Sequence, residues 1–396
     1  MRRSYQSSPR AGAYLRLPVV LRALVLGGLA VSVGCGHSGV ASRPRAEPRL
    51  QEPLKLVATP GPWGARAEAY DAESLFRQAN LDLKAGHHQA AAETYDRLLT
   101  EFPGTRVTAP TLYNAGLAYE GLRRFADAAA RYQLLLGEDP AGLALSVKPP
   151  LVPPLPAALR PTPRDVLDAR FRLGLCLGEA GAHQAAAALY QALLQGAELS
   201  AVDRIEAQAR RGHELLALGA LSDAEALLLR VTELAREASE APLEVEEHAA
   251  LAQHDLGEVS LRYFRALPLR LPQAQLEQDL EQKARLLLFA QGRLIDVIRR
   301  RHPRWAPSAG FQLGALYREM YEAILAAPLP AELDTEEKQQ LYRDELRGKL
   351  RGLLERARRV HERNLALSSF LGDRDAWAQR SAEQLADLDR LLEGKR

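Results

Sequence analysis

Cysteine and aromatic residues are scarce in this chain of 396 residues. Its two cysteines, Cys35 and Cys176, lie far apart, so the sequence offers neither a disulfide framework nor a cysteine metal site. Aromatic residues make up 6% and β-branched runs are rare, while Ala, Leu, Arg and Glu dominate, which favours helix. We therefore expect an all-α protein without a sheet, long enough to bury a sizeable core.

The sequence also lacks the motifs of catalysis and of cofactor binding. It contains no Gly-rich phosphate loop, no nucleophile elbow and no carboxylate pair isolated in apolar sequence. His248 and His254 are six residues apart and share no helical face, which does not suit paired zinc ligands. Cys176, between two leucines, is expected to be a small buried residue. The sequence thus predicts a protein that is not an enzyme and has no metal or cofactor.

Charge gives no reason to expect nucleic-acid binding. The chain carries a net +2, but residues 1–34 hold five arginines and no acid, so the remainder carries −3. The basic segment 343–364 interleaves its arginines with acids and contains no aromatic residue. We interpret it as a surface helix, and an interaction with anionic lipid or with an acidic partner stays open.

Residues 1–34 have the layout of a signal peptide. Arginines precede an apolar run, Ala23 to Val33, which would span only about 16 Å as a helix and is too short for a permanent membrane span. The end of this run, Val33-Gly34-Cys35, resembles the lipobox of bacterial lipoproteins, although Ser32 stands where that pattern has Leu, Val or Ile. The resemblance implies that Cys35 is acylated and becomes the new amino terminus.

Gly36 follows the cysteine, and the lipoprotein resemblance then implies the outer membrane. Residues 35–68, rich in Gly, Pro and Arg, show no hydrophobic period and are predicted to form a flexible tether behind the acylated cysteine. Two alternatives remain open. The protein is secreted with an incidental Cys35, or residues 1–34 stay uncleaved and hold it in the inner membrane.

Four segments with a common register follow, at residues 75–103, 112–140, 170–198 and 208–236. Each carries one small residue in its first half and one in its second half, and an aromatic residue or Leu that precedes an apolar residue by three places. The small residues of the first half are Ala79, Gly116, Gly174 and Gly212, those of the second half are Ala91, Ala128, Ala186 and Ala224, and the large residues are Tyr95, Tyr132, Tyr190 and Leu228. A glycine between the halves recurs as Gly86, Gly181 and Gly219, with Arg123 in its place in the second copy.

These positions resemble the tetratricopeptide repeat, which implies a right-handed α-solenoid of two-helix hairpins. We expect this array over residues 69–240, interrupted at residues 139–165 by a non-helical insertion with eight prolines. Residues 241–396 are predicted to form divergent, longer hairpins and a cap, in which Asp334 and Glu337 form a capping box. Whether the insertion blocks or extends a binding surface is left open.

The resemblance also implies a binding surface, because tetratricopeptide arrays hold partner peptides on the concave face of their first helices. Asn80, Asn114 and Arg172 match three positions of the family's carboxylate clamp, whereas Phe76 and Asp168 stand where two basic residues would be. The candidate partner-binding residues are Phe76, Asn80, Tyr113, Asn114, Leu117, Phe171, Arg172, Leu175 and His213.

The layout resembles that of tetratricopeptide lipoproteins of Gram-negative envelopes, which include pilus, outer-membrane assembly and gliding-motility factors. The expected function is therefore a non-catalytic scaffold or assembly factor on the periplasmic face of the outer membrane, which binds other envelope proteins. One alternative is a scaffold in the inner membrane or the cytoplasm. The other is a regulatory subunit with a catalytic module in residues 240–396.

Overall fold

The computed structural model describes residues 54–61, 64–138, 152–196, 199–237, 243–371 and 376–393. The predictions for the signal peptide, for Cys35, for the first part of the tether and for residues 139–151 of the insertion lie outside these residues.

Thirteen helices account for most of the described chain, and consecutive helices pair as hairpins. The four repeat hairpins are α1 Ala72–Lys84 with α2 His88–Glu101, α3 Thr108–Gly121 with α4 Phe125–Leu136, α5 Pro163–Glu179 with α6 His183–Gly196, and α7 Ala201–Ala217 with α8 Leu221–Glu237. Longer helices follow: α9 Leu243–Ala266, α10 Gln273–Arg300, α11 Ala306–Leu325, α12 Glu336–Leu371 and α13 Ala376–Leu392. The prediction of an all-α solenoid of helical hairpins is confirmed.

The small residue of each first helix lets the large residue of the second helix approach. A Cβ added to Gly174 would lie 2.5 Å from the Tyr190 ring, and one added to Gly212 would lie 2.7 Å from Leu228. Tyr132 covers Gly116 in the same way. Since these large side chains are fully buried, the close approach of the two helices holds each hairpin together.

The turns between the paired helices require a left-handed backbone. Gly86, Gly181 and Gly219 have φ values of 80°, 83° and 79°. Arg123 stands at the same place in the second hairpin and adopts φ 58°. A residue with a Cβ reaches this left-handed conformation only at a cost in conformational free energy.

The expectation of no sheet is wrong at the start of the described chain. Strands β1 Leu54–Gly61 and β2 Gly64–Asp71 pair antiparallel, with Leu54 opposite Asp71. In the second strand Ala alternates with Arg, Glu and Tyr, and this period of two indicates a strand only weakly because Ala and charged residues are weak strand formers. The predicted tether is therefore shorter than residues 35–68.

Two further boundaries differ from the predictions. The insertion ends earlier than residue 165, because Pro163 begins α5 in the first turn, where its missing N–H is not needed. Its residues Val152 and Leu155 pack against the core of the first three hairpins. At α12 a single N-cap hydrogen bond replaces the predicted capping box of Asp334 and Glu337. The Oγ1 of Thr335 accepts from the Lys338 N–H at 3.3 Å, while Asp334 pairs with the Lys338 side chain.

In the described part of the chain the buried apolar residues form four clusters along the hairpins, and their composition changes toward the carboxyl end. Tyrosine, alanine and leucine fill the first hairpins, and leucine, valine and two further tyrosines fill the space between α10, α11 and α12. Cys176 is fully buried in α5, and burial raises the pKa of its thiol, as expected for a packing residue. Within the described ranges, no helix has both the length and the apolarity needed to cross a membrane.

Candidate functional site

The nine candidate partner-binding residues all lie on first helices. Phe76 and Asn80 belong to α1, Tyr113, Asn114 and Leu117 to α3, Phe171, Arg172 and Leu175 to α5, and His213 to α7. Eight are half-buried, while Phe171 is only 7% exposed and belongs to the core. We call the surface formed by α1, α3, α5, α7 and α9 the first-helix face.

Two asparagines one repeat apart are joined on this face. The Oδ1 of Asn80 accepts from the Asn114 amide at 2.8 Å and from the Tyr95 hydroxyl at 2.6 Å. The bond links the first two hairpins and fixes the orientation of Asn80. Within the described chain, these hydrogen bonds leave the Nδ2 of Asn80 and the Oδ1 of Asn114 unused.

Arg172 does not stand as an isolated cation. Its Nη1 donates to Glu120 at 2.8 Å, and the other oxygen of Glu120 accepts from the Tyr132 hydroxyl at 2.7 Å. Tyr113 packs edge-on against Tyr132 at 5.7 Å, and burial raises the pKa of Tyr113 even though Arg172 opposes this. The surroundings of Arg172 are therefore charge-balanced, unlike a carboxylate clamp built on two or more uncompensated cations.

Leu175 and His213 line a separate cavity of about 300 Å³, which we call the α5–α9 cavity. It lies between the first helices of the third, fourth and fifth hairpins, and Arg304 and Trp305, which immediately precede α11, form one of its walls. No pattern in the sequence indicated that residues so far along the chain return to this face.

Four histidines line this cavity or lie behind its walls, and each contacts a carboxylate. This histidine cluster consists of His183, His213, His248 and His254. His183 Nδ1 lies 2.7 Å from Glu214, His213 Nδ1 lies 2.8 Å from Asp255, and His254 Nδ1 lies 3.1 Å from the other oxygen of Asp255. His248 lies 3.4 Å from Glu206, which also accepts from Arg210.

Burial and hydrogen bonding shift the pKa values of the carboxyl and imidazole groups around this cavity in different directions. Burial raises the pKa of Glu214, and its bond to His183 offsets only part of this effect. Burial would raise the pKa of Asp255, but the hydrogen bonds to His213 and His254 outweigh it and lower the value. Burial would lower the pKa of His213, yet the bond to Asp255 raises it, so His213 keeps its proton to higher pH than a free imidazole.

His254 also joins Ser308, whose Oγ lies 2.9 Å from its Nε2. Serine, histidine and aspartate in this order resemble a nucleophilic triad in their distances. Ser308 is only 3% exposed, however, and Trp305 stacks on His254 at 4.9 Å between ring centroids. The arrangement acts as a hydrogen-bonded link between α7, α9 and α11.

His88 and His183 occupy the same position of their repeats, and both contact the following hairpin. His88 covers Gly121 of α3, and His183 contacts Glu214 of α7. Each position therefore faces the next hairpin. A signal for this existed, because the partners are separated by about one repeat, as are Asn80 and Asn114. Over the ranges that the structure describes, no three His, Cys, Asp or Glu side chains are grouped to hold a metal.

One family model and several solved structures match this chain. A model of the tetratricopeptide repeat family matches residues 73–105 and 168–195, so the chain contains tetratricopeptide repeats. Among solved structures, the chain is similar to the apo form of RapI, with 9% identity, 82% of this chain and 99% of that chain covered, and a TM-score of 0.41. It is also similar to a tetratricopeptide repeat protein from Parabacteroides merdae ATCC 43184, with 14% identity, 80% and 98% coverage, and a TM-score of 0.36. A comparison with curated proteins finds no match.

Proposed function

We propose that this protein is a non-catalytic scaffold that binds a segment of a partner protein on the first-helix face. The observation that carries the proposal is the set of half-buried side chains at equivalent positions of α1, α3 and α5, where tetratricopeptide arrays bind peptides. Asn80 and Asn114 offer amide groups to a backbone, and Tyr113 and Leu117 offer apolar contact.

Site-specific photo-cross-linking tests this proposal. A photoreactive residue at Tyr113 or Leu117 is expected to give one discrete adduct in cells, because these side chains reach the surface of the face. The matched control places the same photoreactive residue at Ala188 or Ala192. These two alanines are exposed and lie one turn apart on α6, the second helix of the third hairpin. Adducts of equal yield from both helices would contradict a first-helix binding face.

We further propose that the scaffold is a lipoprotein on the periplasmic face of the outer membrane, where it serves the assembly of an envelope complex. The support is the sequence of residues 1–36, in which an apolar run of eleven residues ends at Val33-Gly34-Cys35. One acyl chain binds a membrane only marginally, so stable anchoring requires the several chains that lipoprotein processing adds.

Intact-mass analysis of the amino-terminal peptide from membrane-purified protein tests the anchor. The expected result is an acylated Cys35 at the new terminus, with Cys35→Ala released into the soluble fraction. An unmodified Cys35 within an intact peptide of residues 1–60 would instead indicate retention by the uncleaved segment or a cytoplasmic scaffold.

A further inference from the structure

The α5–α9 cavity combines apolar and charged walls. Leu175, Leu251 and Trp305 supply the apolar side chains. Its volume of about 300 Å³ is at the lower end of the range for ligand cavities, so it suits one side chain of a bound segment better than a larger group.

Carboxylates outnumber permanent cations around this cavity. Five carboxylates line it or pair with residues that do: Glu179, Glu206, Glu214, Glu247 and Asp255. Only two arginines, Arg210 and Arg304, accompany them. With the histidine cluster uncharged the balance is −3, and it is −2 when His213 is protonated. A cation is therefore the favoured occupant.

The chain already places one guanidinium at this cavity. Arg304 lies over the Trp305 ring at 4.7 Å, and its Nη2 is 3.8 Å from Glu179, beyond hydrogen-bond distance. Its side chain is 58% exposed, so the contact is loose. Arg304 shows that an aromatic face and a carboxylate are spaced for a guanidinium here.

Two polar groups of the cavity still lack partners. Among the residues that the structure describes, no hydrogen bond or ion pair reaches the Glu247 carboxylate, and the buried indole Nε1–H of Trp305 has no acceptor. A basic residue within a peptide supplies the complement of Glu247, since its side chain donates to that carboxylate.

We propose that the α5–α9 cavity binds an arginine or lysine side chain of the partner segment, and that Arg304 competes for this place in the free protein. This inference rests on the proposed scaffold function and adds a specificity to it. Glu247 and Glu179 hold the cation, and Leu251 and Trp305 contact its aliphatic stem.

Three capped tripeptides, Ac-Ala-Xaa-Ala-NH₂ with Arg, Leu or Glu at the centre, test the assignment on the full protein by ligand-observed NMR titration. We expect the Arg peptide to bind about tenfold more tightly than the Leu peptide, because a charge-assisted hydrogen bond is added. Glu247→Gln is expected to remove this preference. Arg304→Ala is expected to tighten Arg-peptide binding by about threefold, the size of an exposed ion-pair contribution.

The matched control is Glu233→Gln, the same change at an exposed carboxylate of α8, which should leave all three affinities unchanged. Circular dichroism of each variant shows whether it is folded. Equal affinity for the three peptides, a preference for Glu, or an Arg preference that survives Glu247→Gln would each overturn the proposal. If cross-linking from Tyr113 and Leu117 persists in that case, only the cavity assignment fails and the scaffold proposal stands.

Discussion

The imidazole of His361 is expected to make the carboxyl-terminal hairpins sensitive to acid. This side chain is 0% exposed between α11 and α12, where it covers Gly314 and lies 5.6 Å from the Phe311 ring. Neither ring nitrogen has a hydrogen-bond partner in the described part of the chain. Burial, with a smaller contribution from Arg318, lowers the pKa of His361 to about 4 from an ordinary value of 6.5.

Acidification is expected to lower the stability of the folded protein, because the unfolded chain binds a proton at His361 more readily than the folded chain does. Between pH 6.5 and 4 the unfolded chain holds a proton at His361 that the folded chain does not, so stability is complete above pH 6.5 and falls as the pH drops toward 4. The full loss corresponds to about 3 kcal/mol, of which about 2 kcal/mol is lost by pH 5. The variant His361→Gln cannot take up this proton and should lose about 2 kcal/mol less between pH 7.5 and 5.

Urea unfolding at pH 7.5, 6 and 5, followed by tryptophan fluorescence, measures this difference. Trp377 lies 5.4 Å from the Phe311 ring and therefore reports on the same region, which matters because a solenoid can unfold in parts. His87→Gln is the matched control, since the side chain of His87 is 69% exposed. If His361→Gln loses as much stability on acidification as the unmodified protein, the argument from burial is refuted.

Four substitutions test the hairpin geometry by urea unfolding. Gly174→Ala should cost about 1–3 kcal/mol because its Cβ would meet Tyr190, whereas Gly292→Ala, with nothing within 4 Å on α10, should gain about 0.5–1 kcal/mol. A destabilising Gly292→Ala or a neutral Gly174→Ala would be inconsistent with the packing. Arg123→Gly should stabilise the protein by about 0.5–1 kcal/mol, because glycine adopts the left-handed backbone without strain. Arg124→Gly, at an ordinary φ of −92°, should destabilise it. A destabilising Arg123→Gly together with a stabilising Arg124→Gly would exclude strain at Arg123.

The repeat hairpins were predictable because their packing is local. Gly174 and Tyr190 are sixteen residues apart within one repeated unit, so four copies of the same small and large positions indicated which side chains meet. The turn glycines were predictable for the same reason, and the left-handed backbone of Arg123 shows that the fold imposes the turn even where the favoured residue is missing.

The α5–α9 cavity was not predictable in this way. Its walls come from three hairpins and from a segment at residues 304–305, about ninety residues beyond His213, and the divergent hairpins offer no register that connects them. For His248 and His254 the sequence spacing was compared only with that of paired zinc ligands, whereas their contacts in the structure are carboxylates of α7 and α9. Pairs one repeat apart, such as His183 and Glu214, were the available signal.

The strands β1 and β2 could not be predicted from the sequence for a different reason. Tyr70 donates to Glu101 at 2.7 Å and contacts the Phe102 ring edge-on, with 6.0 Å between ring centroids. Part of the support of the β-hairpin therefore comes from α2 and from Phe102, the residue that ends α2. Composition alone could not show this support, because it depends on residues thirty positions further along the chain.

The most direct test of the scaffold account is the affinity of the cross-linked partner for two charge variants of the purified protein. Leu117→Glu places a charge on the first-helix face, and Ala188→Glu places the same charge on the exposed side of α6. The account predicts at least a tenfold loss of affinity for Leu117→Glu and none for Ala188→Glu, since a buried unpaired charge is costly in an interface. Equal affinities for both variants, with both folded by circular dichroism, would contradict it.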